Sequence, residues 1–482
     1  MCAGNRVSIR RAVVSAGLAL ALAGCITQSG EQQLGDEEAK KVEEQMGFVR
    51  DPALVAYVRA LGAKLVAVSE RPEGPWTFEV VDTREPNAFA LPGGHVYVTR
   101  GLLVLTNSED ELAGVIGHEM AHVTARHSVK RIGAVVATAP VTIATGLAGF
   151  AVGIVSPMLG SAVAGTGEMI TNGLVIAPYS REQEHDADEI GQALAAKAGY
   201  DPAALARFLH TLDRDFALQP GEKRTFHFLD SHPLTPDRVA RLEERAPTLT
   251  RAASSPIAAG RSAFVTRLDG LVVGEDPAQG VFQNERFLHP DLGFALDFPA
   301  GWTTQNTNES VGAISPSKDA AVVLHLAAQD SSLDQVLKEL TEKQSDLSFE
   351  RIRVNGLPAA RTTLSGRGQV NVITLIELQK TVYGVVGQSA DSTAKQYGRV
   401  FRSTAGSFRP LSVKERQSIR ESRLRVRPAR AGETPAAIAK RTSSTWDADR
   451  VAVANGVAAT DAFQAGWPVK LALPQAYAPR GR

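Results

Sequence analysis

His118-Glu-Met-Ala-His122 is the stretch that decides which fold and chemistry we expect of this chain. It fits the pattern HExxH and lies in a segment with helical periodicity. Four helical residues advance by about 400°, so the two histidines project from one face, one turn apart. That spacing lets two imidazoles bind one zinc ion while Glu119 activates the bound water. We therefore predict a zinc site; the alternative is a pair of ordinary core histidines.

The helix that carries this motif is predicted to run from about Glu109 to about Arg131. Ser108 followed by Glu111 is a capping-box pattern, typical of the start of a helix. Apolar residues then recur at helical spacing: Leu112, Val115, Ile116, Met120 and Val123. The motif is therefore expected in the middle of a helix, where a buried metal could be held rigidly.

A catalytic zinc needs a third protein ligand besides the two histidines. Metzincins supply a histidine six residues beyond the second one, after a glycine. This chain has Ala125 and Ser128 at those two positions, which excludes that class. His127 should lie about 180° around the helix from His118. We expect it to hydrogen-bond on the far side of the helix, away from the metal.

A carboxylate on a later helix is the other way to complete the site. Glu184 and Asp188 stand four residues apart in a segment of helical period, so they share a face. One carboxylate can bind zinc while the other hydrogen-bonds a ligand histidine and fixes its tautomer. A solvated acidic helix face is the alternative.

At this point the chain resembles a known family. It is similar to the gluzincin zinc metallopeptidases of family forty-eight, of the HtpX/BepA type, which are relatives of the CAAX prenyl endopeptidases. The resemblance covers most of the first 245 positions, in five blocks that follow the family's order: Gly30–Gly35, Asn87–Val98, Glu111–His127, Tyr179–Asp188 and Ser231–Arg238.

The resemblance implies a role for several residues. His118, His122 and Glu184 would bind one zinc ion per chain, Glu119 would be the general base, and Asp188 would orient a ligand histidine. In periplasmic members, a histidine in the position of His232 can occupy the water site and keep the enzyme latent. His232 is therefore a candidate latch and fourth ligand, or else an ordinary loop histidine. Arg238 is a candidate substrate contact or a support for the ligands.

The Asn87–Val98 block predicts a strand that carries a turn. Phe89 and Leu91 precede Pro92-Gly93-Gly94, after which a β-prone run resumes. In zinc peptidases an edge strand beside the site pairs with extended substrate through backbone bonds. Asn87 and Ala88 are therefore candidate substrate contacts; a purely structural hairpin is the competing interpretation.

The amino terminus is predicted to be an export signal, residues 1–24. Arg6, Arg10 and Arg11 precede an apolar run that ends in Leu22-Ala-Gly-Cys25, which resembles a bacterial lipoprotein signal. Cys25 would be lipidated and anchor the protein in the periplasm, at the outer membrane because Ile26 is not the retaining aspartate. Only Cys2 and Cys25 occur, so the exported protein would have no intramolecular disulfide.

Residues 132–167 contain no charged side chain, which by length alone suggests a membrane span. The run is rich in Ala, Gly and Thr and contains Pro140 and Pro157. We favour a helical hairpin beside the mouth of the active site. With a net charge of zero the chain gives no sign of nucleic-acid binding.

The fold class expected is multidomain. A mainly α-helical zincin-type metallopeptidase domain with a small β-sheet should span 25–250, and 245–260 is predicted to be a linker. An α+β domain with an antiparallel sheet, weakly similar to the PsbP/Mog-one-like sandwich, should follow at 261–412. Its predicted strands include Ala321–Leu326, Ala359–Leu364, Val370–Leu378 and Thr381–Gln388. A small LysM-like βααβ module is expected at 422–474; such modules bind N-acetylglucosamine-containing glycans, here peptidoglycan.

The function expected is zinc-dependent hydrolysis of internal peptide bonds in misfolded or misassembled envelope proteins. The alternatives are a largely latent assembly factor or chaperone of outer-membrane proteins, and a peptidoglycan-binding protein with a vestigial enzyme domain.

Overall fold

A computed structural model describes residues 27–130, 178–218, 227–366 and 368–479. They form two compact units. The first unit holds the described residues up to Gly274 together with Ser422–Gln475, and the second holds Glu275–Glu421 with the few residues after Gln475. The predicted signal, Cys25 and the uncharged run 132–167 lie outside the described residues. Among the helices that are described, none is both long and apolar enough to cross a membrane.

The helices of the described chain are numbered in order. They are α1 (Gln28–Met46), α2 (Pro52–Val66), α3 (Arg100–Leu105), α4 (Glu109–Thr124), α5 (Arg181–Lys197), α6 (Ala204–Ala217), α7 (Phe228–Ser231), α8 (Pro236–Arg245), α9 (Gly260–Arg267), α10 (Leu333–Lys343), α11 (Ala394–Ser407), α12 (Val413–Ser418), α13 (Pro435–Thr442) and α14 (Ala448–Ala454).

The strands form four sheets. They are β1 (Thr77–Val81), β2 (Ala88–Leu91), β3 (His95–Thr99), β4 (Val272–Val273), β5 (Val281–Gln283), β6 (Arg286–His289), β7 (Phe294–Asp297), β8 (Thr303–Asn306), β9 (Ser310–Ile314), β10 (Ala320–Ala328), β11 (Glu350–Val354), β12 (Leu357–Gly366), β13 (Gln369–Leu378), β14 (Thr381–Ala390), β15 (Arg409–Pro410), β16 (Arg420–Pro428) and β17 (Pro468–Ala476). The strand orders are β1-β3-β2, β17-β16-β4, β15-β7-β6-β5 and β11-β12-β13-β14-β10-β9-β8.

Helix α4, which carries HExxH, lies in the centre of the first unit. It begins at Glu109 as predicted, because the Ser108 hydroxyl accepts the amide N–H of Glu111 at 3.2 Å. Apolar side chains on several faces of α4 are fully buried, including those of Leu112, Val115 and Ile116. A helix that is buried on several faces lies inside a core rather than on the surface.

The predicted end of this helix near Arg131 is wrong. α4 ends at Thr124, and Arg126 adopts a left-handed φ of 57° before the chain becomes helical again at 127–130. The Arg126 guanidinium donates to the buried carboxylate of Glu31 in α1 at 2.9 Å. This contact joins residues that are distant in sequence. It stabilises a turn that contains neither glycine nor proline, so the sequence does not predict it.

The strand with a turn predicted over Asn87–Val98 is confirmed. β2 and β3 are antiparallel and joined by a tight turn at Pro92–Gly94, where Gly93 and Gly94 have φ of 85° and 108°. β1 pairs in parallel with the other side of β3. Among the described residues β2 is thus an edge strand, and it lies beside α4.

The predicted linker at 245–260 is not a free connection. Its first residues complete α8 and a short 3-10 turn, and the amides of Ile257 and Ala258 donate to the buried carboxylate of Glu109 at 2.7 and 2.5 Å. Helix α9 follows, and its Phe264 and Val265 are fully buried in the core of the first unit. The segment therefore belongs to the packing around α4.

The second unit is the predicted α+β arrangement with an antiparallel sheet. The strands expected near Ala321, Ala359, Val370 and Thr381 are β10, β12, β13 and β14 of the seven-stranded sheet. Helix α11 packs Tyr397 and Phe401 with one apolar cluster, and helix α10 packs Leu333 and Leu337 with another. Residues 420–476 have the predicted order of strand, two helices and strand, but their LysM identity stays a prediction.

Candidate metal centre

The metal-binding helix α4 and helix α5 approach each other closely enough to bring their polar side chains together. A Cβ on Gly191 of α5 would lie 2.6 Å from the His118 amide nitrogen, so only glycine fits there. α5 begins with a complete capping box between Ser180 and Gln183. Its first two turns therefore face the histidines, and they carry Glu184 and Asp188.

Four predicted residues converge in one buried cluster. His118, His122, Glu184 and His232 each offer a ligand atom, and these atoms all lie within 4.8 Å of one another. None of the four residues is more than 1% exposed. Among the described residues this is the only such group of histidine, cysteine and acidic side chains. The alternatives of ordinary core histidines and of a solvated acidic face do not fit this geometry.

The distances inside the cluster fit one tetrahedral ion. Zinc–nitrogen and zinc–oxygen bonds of about 2.0–2.1 Å place tetrahedral ligand atoms about 3.3 Å apart. The two Nε2 atoms of His118 and His122 are 3.1 Å apart, and His118 Nε2 lies 3.3 Å from His232 Nδ1. Glu184 Oε1 lies 3.5 Å from His122 Nε2 and 2.9 Å from His232 Nδ1. A nitrogen and oxygen donor set of this kind suits zinc.

Asp188 contacts His118, and its role in orienting a ligand histidine stays a prediction from the resemblance. Its Oδ1 lies 2.9 Å from His118 Nδ1, so the Nε2 lone pair of His118 points into the cluster. Both carboxylates are in turn held by Arg238, whose Nε donates to Asp188 at 2.7 Å and whose Nη1 lies 2.6 Å from Glu184. Arg238 is only 2% exposed, so the structure places it behind the ligands and away from solvent.

The charges of these neighbours decide how Glu184 ionises. Burial alone would raise the pKa of Glu184, but His232, His122 and Arg238 outweigh it and hold the pKa well below its usual range. Burial would likewise raise the pKa of Asp188, yet Arg238 and His118 keep it lowered. Both groups are therefore carboxylates at neutral pH, the form that binds a cation or accepts a hydrogen bond.

His127 is placed differently from what was predicted. Because α4 ends before it, its Nδ1 comes within 3.0 Å of His122 Nδ1 instead of facing the far side of the helix. Burial lowers the pKa of His127 to about 4, so its imidazole is neutral. If His122 presents Nε2 to a metal, its Nδ1–H donates to His127. Sequence reasoning missed this role because the turn at Arg126 left no signal.

Two aromatic rings pack against the cluster, and the sequence did not indicate a role for either of them. Tyr179 stacks on His122 with ring centroids 3.8 Å apart, and Phe228 stacks on His232 at 4.2 Å. The Phe228 amide donates to the Pro86 carbonyl, just before Asn87 and the edge strand β2. Asn87 and Ala88 themselves are 1% and 0% exposed. The segment that carries His232 is thus tied to the start of the edge strand.

Comparison with known proteins agrees with this geometry. Residues 52–246 match the model described as Peptidase family M48. The beta-barrel assembly-enhancing protease of Escherichia coli (strain K12) is 31% identical over 219 residues, which cover 45% of this chain and 44% of that protein. Metalloprotease LoiP of the same strain is 28% identical, covering 50% of this chain and 97% of its own length.

A mitochondrial protein is similar to a comparable degree. The mitochondrial metalloendopeptidase OMA1 of Schizosaccharomyces pombe (strain 972 / ATCC 24843) is 30% identical, over 45% of this chain and 61% of that protein. This chain thus spans less than half of the E. coli assembly-enhancing protease.

Among solved structures, cyanobacterial PsbP (CyanoP) from Synechocystis sp. PCC 6803 gives a match that covers 28% of this chain and 98% of the CyanoP chain. The identity is 13% and the TM-score 0.22, so the PsbP-like similarity of the second unit stays a prediction.

Proposed function

We propose that this chain, whose residues 52–246 match the model described as Peptidase family M48, is a zinc-dependent metalloendopeptidase acting on misfolded or misassembled proteins of the bacterial envelope. The observation that carries the proposal is the buried cluster of His118, His122, Glu184 and His232 beside the carboxylate of Glu119.

The residues of the cluster have separate tasks in peptide hydrolysis. His118, His122 and Glu184 would hold the ion, which would supply a Lewis acid for the scissile carbonyl and for the attacking water. Glu119 lies next to His118 on α4 and takes the proton from the attacking water. It then returns the proton to the leaving amine, a general acid–base contribution of about 10²–10⁴ in rate.

Substrate would be recognised mainly through its backbone. β2 offers an edge beside α4, and an extended peptide added to such an edge is held by main-chain hydrogen bonds that any sequence can make. Asn87 and Ala88 stand at the start of this edge. Recognition of this kind suits the removal of many different misfolded proteins.

The decisive experiment compares cleavage of casein by the wild type and Glu119→Gln, with zinc content measured on the same samples. We expect Glu119→Gln to retain one zinc per chain and to lose at least a hundredfold in rate. Glu244→Gln, at an exposed position of α8, is the matched control and should be fully active. Equal cleavage by the wild type and Glu119→Gln would overturn the proposal.

His232 is proposed to be a latch on this site. Its Nδ1 contacts Glu184 at 2.9 Å and its Nε2 lies 3.4 Å from Glu119, so it fills the place where water and substrate must bind. The Phe228–Pro86 hydrogen bond holds its segment at the start of the edge strand. Opening the site for substrate therefore requires this segment to move.

Removal of the latch side chain provides the test. His232→Ala should cleave casein several-fold faster at full zinc occupancy, because three ligands remain. His210→Ala, at an exposed histidine of α6, should leave the rate unchanged. An unchanged or lower rate in His232→Ala would eliminate the latch.

The complete burial of the cluster also favours a second function, a largely latent assembly factor for outer-membrane proteins. In that case Glu119→Gln would support normal assembly of the outer membrane in cells. If Glu119→Gln cells show the same envelope defects as cells lacking the protein, this alternative fails.

Anchoring and glycan binding are separate proposals that rest on sequence. A lipidated Cys25 would bring the protein to the outer membrane, facing the periplasm; Cys25→Ala should move it from the membrane to the soluble fraction, and unchanged fractionation would refute the anchor. The LysM-like residues 422–474 would bind peptidoglycan. Absence of the full chain from pelleted peptidoglycan sacculi would refute that.

A further inference from the structure

The side chain of Lys470 in β17 is completely buried, which is rare for lysine. Its Nζ donates to the carbonyl oxygens of Val104 and Thr106 at 2.7 and 2.6 Å. Val104 lies in the last turn of α3 and Thr106 directly follows that helix, where carbonyl groups lack partners within the helix. The ammonium group thus satisfies two acceptors at the end of α3, just ahead of the metal-binding helix.

A second set of contacts runs from the same strand through Asn455. The side-chain oxygen Oδ1 of Asn455 accepts the backbone N–H of Lys470 at 2.9 Å and the Arg261 guanidinium at 2.7 Å. Arg261, in α9, also donates to the side-chain oxygen of Asn107 at 2.5 Å. One partly buried network therefore links the C-terminal segment, helix α9 and the α3–α4 connection.

This network reaches the start of the metal-binding helix. The Asn107 amide donates to Glu111 at 2.7 Å, and Glu111 lies in the first turn of α4. His118 follows Glu111 by two helical turns, about 10 Å along the axis. A displacement of the α3–α4 connection would therefore be transmitted along a rigid helix to the zinc ligands.

Apolar packing joins the same parts. Val469 and Leu471, which flank Lys470, are fully buried in the cluster that also contains Leu102 and Leu112. At the other side of the segment, Arg214 of α6 donates to the Val457 carbonyl at 2.7 Å. The segment thus shares one core with α3, α4 and α6.

We propose that Ser422–Gln475 is an integral part of the peptidase domain rather than an appended module, and that Lys470 is a positioning residue for the metal-binding helix α4. Lys470 acts through the carbonyls of Val104 and Thr106 and touches neither substrate nor metal. Burial and the positive charge of Arg261 lower the pKa of Lys470 while Glu111 opposes them. A neutral amine keeps two N–H groups, so both carbonyl bonds survive in either protonation state.

The test is Lys470→Met in the full zinc-loaded chain, with Lys440→Met, at an exposed lysine of α13, as the matched control. Losing both donors should speed amide hydrogen exchange across 105–112 by about tenfold or more. At a temperature well below unfolding, kcat for casein should fall by a similar factor while KM stays within about twofold. Lys440→Met should change neither.

A purely stabilising role makes a different prediction. It would lower the melting temperature of Lys470→Met but leave exchange at 105–112 and kcat at low temperature unchanged, and this outcome overturns the proposal. Hydrogen exchange is independent of catalysis, so a failed peptidase assignment would leave this readout intact.

Exchange in the unmodified protein covers the case in which Lys470→Met does not fold. The proposal predicts that 105–112 and 468–472 open together, with the same free energy of opening. Opening of 468–472 while 105–112 remains protected would show an independent module and contradict the proposal.

Discussion

Both units bury histidine, but the surroundings of that histidine differ. In the first unit, His118, His122 and His232 converge with Glu184, and each contacts at least one other member of the group. In the second unit, His325 of β10 is 7% exposed, its Nδ1 has no hydrogen-bond partner, and it lies over Gly384 of the next strand. Among the described residues, only the first arrangement has donors arranged to hold an ion.

The two environments show what distinguishes a candidate metal site from a histidine that is merely buried in a core. Burying an ionisable group is unfavourable unless other groups satisfy it. Around the zinc ligands, that cost is offset by Asp188, Arg238 and His127, which would also orient the ligands when a metal binds. At His325 nothing comparable is present, and burial alone lowers the pKa of the imidazole to about 4.

The largest effect should come from Glu184→Ala. Removing the only carboxylate of the cluster leaves three imidazoles beside the positive charge of Arg238, so zinc and casein cleavage should both be lost. Zinc content and rate are measured together, with Glu189→Ala at an exposed position of α5 as the control. Full zinc retention in Glu184→Ala would remove this residue from the ligand set.

A smaller effect is expected for Asp188→Asn, which keeps the shape but loses the negative charge facing His118 and Arg238. Changes of this kind typically cost 10–100-fold in metal affinity. Competition with a chelator measures the zinc affinity directly, and Asp237→Asn on the exposed side of α8 is the control. Equal affinities in the two variants would show that Asp188 does not support His118.

His127→Ala should weaken zinc affinity by about tenfold, the lower end of the 10–100-fold range. The reason is that His122 loses the acceptor for its Nδ1–H. The same chelator competition applies. If His127 instead faced the far side of the helix, as the sequence predicted, its removal would not change zinc affinity. Wild-type zinc affinity in His127→Ala would therefore contradict a role for His127 beside His122.

His325→Leu is expected to leave the rate of casein cleavage unchanged. It should, however, change how the free energy of unfolding depends on pH. An unfolded histidine with the ordinary pKa of 6.5 takes up a proton before the folded one at about 4, so His325 destabilises the fold as pH drops from 6.5 towards 4. The full difference is about 3 kcal/mol. Urea unfolding at pH 7 and pH 4 should show that His325→Leu loses less free energy of unfolding between the two pH values than the wild type does. Identical losses in both proteins would contradict the lowered pKa of His325.

The residues that meet in the buried cluster were predictable from sequence because their spacing is visible locally. The spacing of His118 and His122, and of Glu184 and Asp188, follows from the period of one helix. The family blocks then indicated which carboxylate binds and added His232. The strands of the second unit were also predictable, since β-prone runs are long and separated by turn residues.

Asp188 and Arg238 apart, the contacts around the site were not predictable, because they join segments that are distant in sequence. The turn at Arg126 needs Glu31 from α1, and it alone brings His127 to His122. The segment before α9 looked like a linker until its amides were found on Glu109. Lys470 lies in a strand whose sequence gives no sign that its side chain binds the end of α3.

The most direct test of a zinc site at this cluster is the zinc content of the purified full chain together with X-ray absorption at the zinc edge. One zinc per chain is expected, with nitrogen and oxygen ligands at about 2.0–2.1 Å and no sulfur, and His118→Ala should lose the metal. A chain that binds no zinc, or a His118→Ala variant that retains the same zinc spectrum, would contradict the account.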